Sequence, residues 1–260
     1  MELKYGRGSI GFEPGPGAIG VVEPQPADVR PVGDLLKRSF ASPVSQDRLR
    51  EVLRRNKPGD VVVIVSDITR KIGHYEEILK FLVADLVDAG IDEKNITFVI
   101  ALGTHRRHTD EENKRLYGTL LDNFDFLPHD CRGDVVLVGK TSTGLEVSVN
   151  RRVEEADFVI GTGRVDFHYL AGYSGGRKSV LPGVASYETI RRNHAKLVRN
   201  GVFVARRQGN IIAEEMAEAA RLLGIDFLLN VVETPQRETA MVFCGESENA
   251  FARAVDYLIE

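Results

Sequence analysis

The sequence predicts an α/β fold with a largely parallel sheet, and three observations carry that expectation. A short apolar run rich in β-branched residues, VVVIVS (Val61 to Ser66), passes through a polar turn into HYEEILKFLVADLVDAG. The apolar positions of that second stretch recur at helical spacing, and it ends on a glycine. The same order returns where ITFVIAL leads into GTHRRHTDEENKRLYG, and more loosely where DFVIGTG leads into a glycine-rich stretch. Each run is followed by polar residues: Asp67 and Arg70, then His105 and His108, then His168 and Lys178. Such alternation builds a Rossmann-like three-layer arrangement, a sheet flanked by helices with ligands at the carboxyl ends of the strands. If the three strands are neighbours, the polar clusters share one rim.

The remaining elements follow from pattern and punctuation. PVGDLLKRSF and SQDRLREVLRRNKPG read as helices, with Ser45 placed to cap the second. SYETIRRNHAKLVRN and NIIAEEMAEAARLLG read as helices, the latter strongly amphipathic. IDFLLNVVET and AMVFCG read as strands, and ENAFARAVDYLIE closes the sequence as a helix. Residues 1–260 are expected to form a single α/β domain, since 260 residues bury a substantial core.

Composition narrows the function. With 34 Lys and Arg against 38 Asp and Glu, the net charge is −4. That balance leaves no electrostatic footprint for nucleic acid or an anionic membrane, so a small-molecule ligand is expected. The opening stretch MELKYGRGSIGFEPG lacks the apolar core of a secretory signal. No apolar run approaches the ~20 residues that span a bilayer, so a cytoplasmic protein is expected. Cys131 and Cys244 are far apart and outside any C-x-x-C spacing, which suggests neither a disulfide framework nor a cysteine zinc site.

The stretch FHYLAGYSGGRKSVLPG, Phe167 to Gly183, is the richest in chemistry. Set against the nucleotide-phosphate loop G-x-x-x-x-G-K-[ST], it has Gly172, Lys178 and Ser179 in place, but Arg177 stands where the second glycine belongs. Pro182 and Gly183 then interrupt the helix such a loop requires, which disfavours a phosphotransferase. A glycine-rich loop approaching an anion remains, with a lysine whose neighbour Arg177 favours the neutral amine. That lysine reads either as a nucleophile or attachment point, or as a phosphate-binding residue on a surface turn.

The histidines add acid/base and ligand capacity, because an unperturbed imidazole titrates near about 6.5 and binds metals. His105, His168 and His194 lie in or beside these stretches, whereas His74 and His129 have no comparable context. His105 and His108 form only a weak metal pair, and His108 is expected to be solvated near a helix start. His194, among Arg191, Arg192 and Lys196, reads either as part of a charged outer face or as a single inward ligand. In SDITRK, Arg70 suits a carboxylate or phosphate, and Asp67 either binds a ribose hydroxyl or orients Arg70. An internal salt bridge is the competing reading for that pair.

Taken together and in this order, SDITR, GTHRRHTDEE and FHYLAGYSGGRKSVLPGVASYETIRRNH resemble the nickel-pincer-nucleotide lactate racemase family. The resemblance runs from about the first strand to the end of the chain and corresponds to the family's amino-terminal, cofactor-bearing domain. It implies a nickel-pincer nucleotide, a pyridinium mononucleotide with thioamide and thiocarboxylate sulfurs, tethered to Lys178, with His194 as protein ligand to nickel. His105 and His168 would be the acid/base pair on opposite faces of a 2-hydroxy-acid substrate. Asp67, Arg70, Ser174, Gly175 and Gly176 would hold the cofactor or substrate. The implied reaction takes the hydroxyl proton while hydride leaves the α-carbon for the cofactor, and hydride return to the other face inverts the centre.

Two departures from the family pattern bear on the pocket: Phe167 and Arg107 stand where the family usually has proline. The family's second α/β domain, which closes over the cofactor, is expected to be absent from these 260 residues, leaving a separate chain as one possible source. A non-catalytic nucleotide- or metallo-cofactor-binding module is the alternative to a racemase or epimerase.

Overall fold

The structure, a computed structural model, describes residues 2–6, 8–13, 15–17, 29–198 and 202–260. Six strands form its central sheet: β1 (Val61–Ser66), β2 (Ile96–Ala101), β3 (Asp125–Pro128), β4 (Phe158–Val165), β5 (Phe227–Glu233) and β6 (Thr239–Gly245). Their order is β6-β5-β4-β1-β2-β3, and every adjacent pair is parallel except β5 with β6. The chain runs outward from β1 to β3 and then returns to place β4 on the other side of β1. The order therefore reverses between β1 and β4, which opens a crevice at their carboxyl ends.

All six residues of β1 are buried, as a central parallel strand covered on both faces requires. Its alternate side chains separate two cores. Val61, Val63 and Val65 pack in the core containing residues of α1 (Val32–Ala41), α2 (Leu49–Asn56), α3 (Tyr75–Asp88) and α4 (Asp110–Tyr117). Val62 and Ile64 face the opposite layer, where they meet Val153 of α5 (Arg151–Glu154) and Val184. That layer also holds α6 (Tyr187–His194), α7 (Ile211–Leu223), α8 (Ser247–Ile259) and a hairpin of Val135–Lys140 with Glu146–Asn150. The expected sheet flanked by helices is present, with β6 as its antiparallel edge.

One local expectation is corrected. Ser45 does not cap α2: it adopts a left-handed backbone at φ 53°, and the helix begins at Leu49 after Arg48. The stretch after β2 stays irregular until Thr109, whose side chain and that of Glu112 form a reciprocal capping box that fixes the start of α4. His105 consequently sits in a loop. The strand Asp125–Pro128 was not anticipated, because it has four residues, lies at the sheet edge and ends on proline. Among the described residues no helix is long and apolar enough to cross a membrane.

The β2–β3 side of the sheet depends on an aromatic cluster. The fully buried Phe98 stacks on Phe126 at 4.4 Å and meets Phe124 edge-on at 5.6 Å. Phe98→Ala is expected to lower unfolding free energy by about 3–5 kcal/mol in denaturant titrations. A loss below about 1 kcal/mol would show that this cluster does not hold the edge.

Candidate active site

A cavity of ≈ 250 Å³ lies at the carboxyl ends of β1, β2 and β4, in the crevice the strand order creates. Asp67 and Arg70 reach it from the loop after β1 and His105 from the loop after β2. His168, Ser174, Gly175 and Lys178 reach it from the segment after β4, and His194 from the end of α6. Of the residues that the family resemblance assigned to the site, Gly176 alone is outside its lining. A Cβ at Gly176 would lie 2.7 Å from the Phe251 ring, so this glycine permits packing against α8. Its N–H donates to Asn230 Oδ1 at 3.0 Å, which ties the loop to β5.

The two cavity histidines are held in opposite ways. His105 Nδ1 lies 2.7 Å from Asp67 Oδ2, while Thr69 Oγ1 donates to the same buried carboxylate. Nδ1–H therefore faces Asp67, leaving Nε2 as an acceptor. In His168, Nδ1 accepts the backbone N–H groups of Leu170 and Ala171, each at 3.2 Å. The neutral ring must then carry its proton on Nε2, which lies 3.4 Å from Arg70 Nη2. Burial, with Lys178 and Arg70 next in effect, pushes the His168 pKa down to about 3.

Lys178 makes no ion pair among the described residues. Its pKa is pushed down to about 7, first by burial and then by the charges of Arg70 and Arg177. The sequence reading named Arg177 as the cause, but removal from water is the larger one. His194 is half-buried and turned inward, its Nδ1 buried without a hydrogen-bond partner. Burial and the Lys178 charge lower its pKa to about 4. The reading of His194 as part of a charged outer face is thus excluded.

Arg164, absent from the sequence selection, also lines the cavity, held by Glu233 Oε2 and the Lys71 carbonyl. Its position at the end of β4 was the available signal, because polar residues there face the ligand side of such sheets. Asp67 is the one carboxylate in the cavity lining, against Arg70, Arg164 and Lys178. The site therefore favours an anionic ligand. His108 is not the solvated residue expected: Nε2 accepts from Ile68 N and Nδ1 bonds Asn113, pinning the Arg70 loop. His129 is buried on Ala185 O and Asn150, while His74 precedes α3 with a left-handed backbone.

No group of three or more His, Cys, Asp or Glu able to hold a metal occurs among the described residues. A metal here would need most of its ligands from a bound organic group. One orphaned imidazole nitrogen beside a lysine inclined to be neutral fits that arrangement. The segment Gly176–Ser179 is a single 3₁₀ turn, without the following helix of a phosphate-binding loop.

The profile of the lactate racemase N-terminal domain matches residues 5–203. A lactate racemase of Thermoanaerobacterium thermosaccharolyticum is 30% identical over 273 residues, covering 100% of this chain and 62% of that protein. One from Lactiplantibacillus plantarum is 33% identical over 237 residues, covering 87% and 54%. This chain therefore spans less than two thirds of the length of these relatives. The lactate racemase apoprotein structure from T. thermosaccharolyticum superposes with a TM-score of 0.88 at 28% identity, covering 98% of this chain and 61% of that one. A Thermotoga maritima protein shares the fold at a TM-score of 0.65 and 22% identity, with coverages of 84% and 59%.

Nitrogen NMR is expected to find His168 in the neutral Nε2–H form, with its midpoint lowered to about 3. Lys178→Met should raise that midpoint by removing a neighbouring charge. Because the unfolded imidazole titrates near about 6.5, this residue's contribution to stability falls as pH drops from there towards 3. An Nδ1–H form, or a midpoint at the ordinary value, would contradict the geometry.

Proposed function

The chain belongs to the lactate racemase family, and from that premise we propose that it is the cofactor-bearing part of a 2-hydroxy-acid racemase or epimerase. The observation that carries this reading is the pairing of two oppositely held histidines across one cavity with an uncompensated lysine. Residues 1–260 act, in this reading, as one α/β domain equivalent to the amino-terminal part of the relatives. A cytoplasmic setting belongs to the same proposal.

Lys178 would attach a nickel-pincer nucleotide and His194 would bind its nickel; when bound, that group supplies a hydride acceptor for the substrate α-carbon. Arg70 and Arg164 place positive charge where a nucleotide phosphate or a substrate carboxylate requires it. Ser174 and Gly175 form the wall beside the attachment point, and Gly176 sets that wall in place from behind. Acylation of Lys178 Nζ removes the ammonium charge, which is one cause of the depressed His168 and His194 pKa values. Both imidazoles then move back towards their ordinary range, as acid/base and ligand roles need.

His105 Nε2 takes the hydroxyl proton of one enantiomer, and the buried Asp67 carboxylate stabilises the imidazolium that forms. His168 stands at the oxygen of the other enantiomer, its Nε2–H beside Arg70 and placed to donate to that oxygen; taking a proton there would need the tautomer with Nε2 free. Two histidines are needed because the two enantiomers present their hydroxyls on different sides of the same bound plane. Closure against water and completion of the carboxylate site would come from the part of the relatives this chain does not span, as a continuation or a separate chain.

The test begins with the chain co-expressed with a pincer-cofactor biosynthesis system, beside Lys178→Ala. A nickel-containing mass adduct on the chain and none on the variant is the expected result. With the carboxy-terminal portion of a full-length relative added, loaded protein should interconvert D- and L-lactate or another 2-hydroxy acid. His105→Ala and His168→Ala should each lower the rate by about 10²-fold or more with the adduct retained. An adduct without turnover under any of these conditions would favour a non-catalytic cofactor-binding module. A folded chain that takes no adduct, while a full-length relative does, would overturn the proposal.

A further inference from the structure

Arg177 and Lys178 are consecutive in one 3₁₀ turn, yet they serve different cavities. Lys178 lines the cavity described above. Arg177 lines a second, of ≈ 150 Å³, between the turn and helices α7 and α8. Arg207 and Arg221 add two more guanidinium groups, Glu248 lines it as the partner of Arg221, and Ala217, Ile225 and Phe251 make much of the rest apolar.

The three guanidinium groups are not equivalent. Arg207 pairs with Asp256 at 3.0 Å and Arg221 with Glu248, both at the partly exposed rim. Arg177 pairs with no carboxylate among the described residues. One Nη2 contact to the Ala171 carbonyl at 3.1 Å, a stack over the Phe251 ring at 4.5 Å and the more distant charge of Glu248 are its compensation. Its Nε is buried with no acceptor. A cation withdrawn from water is costly unless a charge-assisted acceptor meets it, and the Arg177 side chain borders a cavity large enough to hold one.

We infer that this second cavity is a binding site for a small organic carboxylate with a short apolar tail. The carboxylate accepts from the Arg177 guanidinium, with Arg207 and Arg221 near the entrance, and the tail lies against Ile225, Phe251 and Ala217. The apolar wall distinguishes such a ligand from inorganic phosphate, which would leave that surface unused and place polar oxygens against it. The site is separate from the catalytic cavity and does not depend on cofactor loading. It lies directly behind the turn that presents Lys178, so an occupant braces that turn from the back.

The probes are butyrate, inorganic phosphate and n-butylamine, titrated into the unloaded chain while the backbone amides of Ala217, Ser247 and Phe251 are followed by NMR. Butyrate should shift them saturably, phosphate more weakly and n-butylamine not at all. Arg177→Met should weaken butyrate binding about tenfold or more, consistent with loss of a charged hydrogen bond. Ala217→Leu, which fills the cavity and keeps every charge, should abolish it. Absence of a saturable butyrate response, unchanged affinity in a folded Arg177→Met, or phosphate binding tighter than butyrate would each overturn the assignment.

Discussion

The organisation of the active site depends on the removal of one ammonium group from water without a counter-ion. Lys178 sits among Arg70, Arg177, His168 and His194, and no carboxylate pairs with it among the described residues. Burial then favours the neutral amine at a pH where a surface lysine is fully charged. An amine in that state is a nucleophile, and the same environment holds the two nearby imidazoles neutral. The one carboxylate in the lining, Asp67, is committed to His105 and Thr69 and does not compensate the lysine.

Holding this arrangement is the work of the surrounding fold. Strand order puts the ends of β1, β2 and β4 side by side, so three sequence-distant loops converge. The glycine loop then packs closer than side chains would allow. A Cβ on Gly175 would lie 2.6 Å from the Val165 side chain, and one on Gly163 would lie 3.2 Å from the Gly175 Cα. A buried carboxylate does the same for α6. Glu215 accepts from Asn193, Lys196 and Thr143, residues that flank His194 on α6 and its continuation and join them to α7 and the hairpin turn.

Much of this was legible in the sequence because the signals were strong and local. The run VVVIVS is bounded as β1 residue for residue, and the helical periodicities of α3, α7 and α8 appear with ends shifted by a residue or so. Polar residues at strand ends marked the cavity: Asp67, Arg70, His105, His168 and Lys178 line it, while His108 does not. What could not be read depended on partners distant in the chain. Gly176 looks like a ligand-facing loop residue until Phe251, some seventy positions on, is seen packed against it. His108 looks solvated until Ile68 and Asn113 occupy its two nitrogens. Arg164 sat unremarked at the end of a strand that had itself been identified.

The state of the Lys178 amine is the point on which the account turns, and competitive acetylation of the unloaded chain measures it directly. Trace acetic anhydride is added across a pH series, and modification of Lys178 is compared by mass spectrometry with that of Lys37, which stands 74% exposed on α1. The account predicts that Lys178 labelling rises with a midpoint near 7. A Lys178 midpoint in the ordinary lysine range, about 10.4, would contradict it and remove the physical basis for a lysine-tethered cofactor.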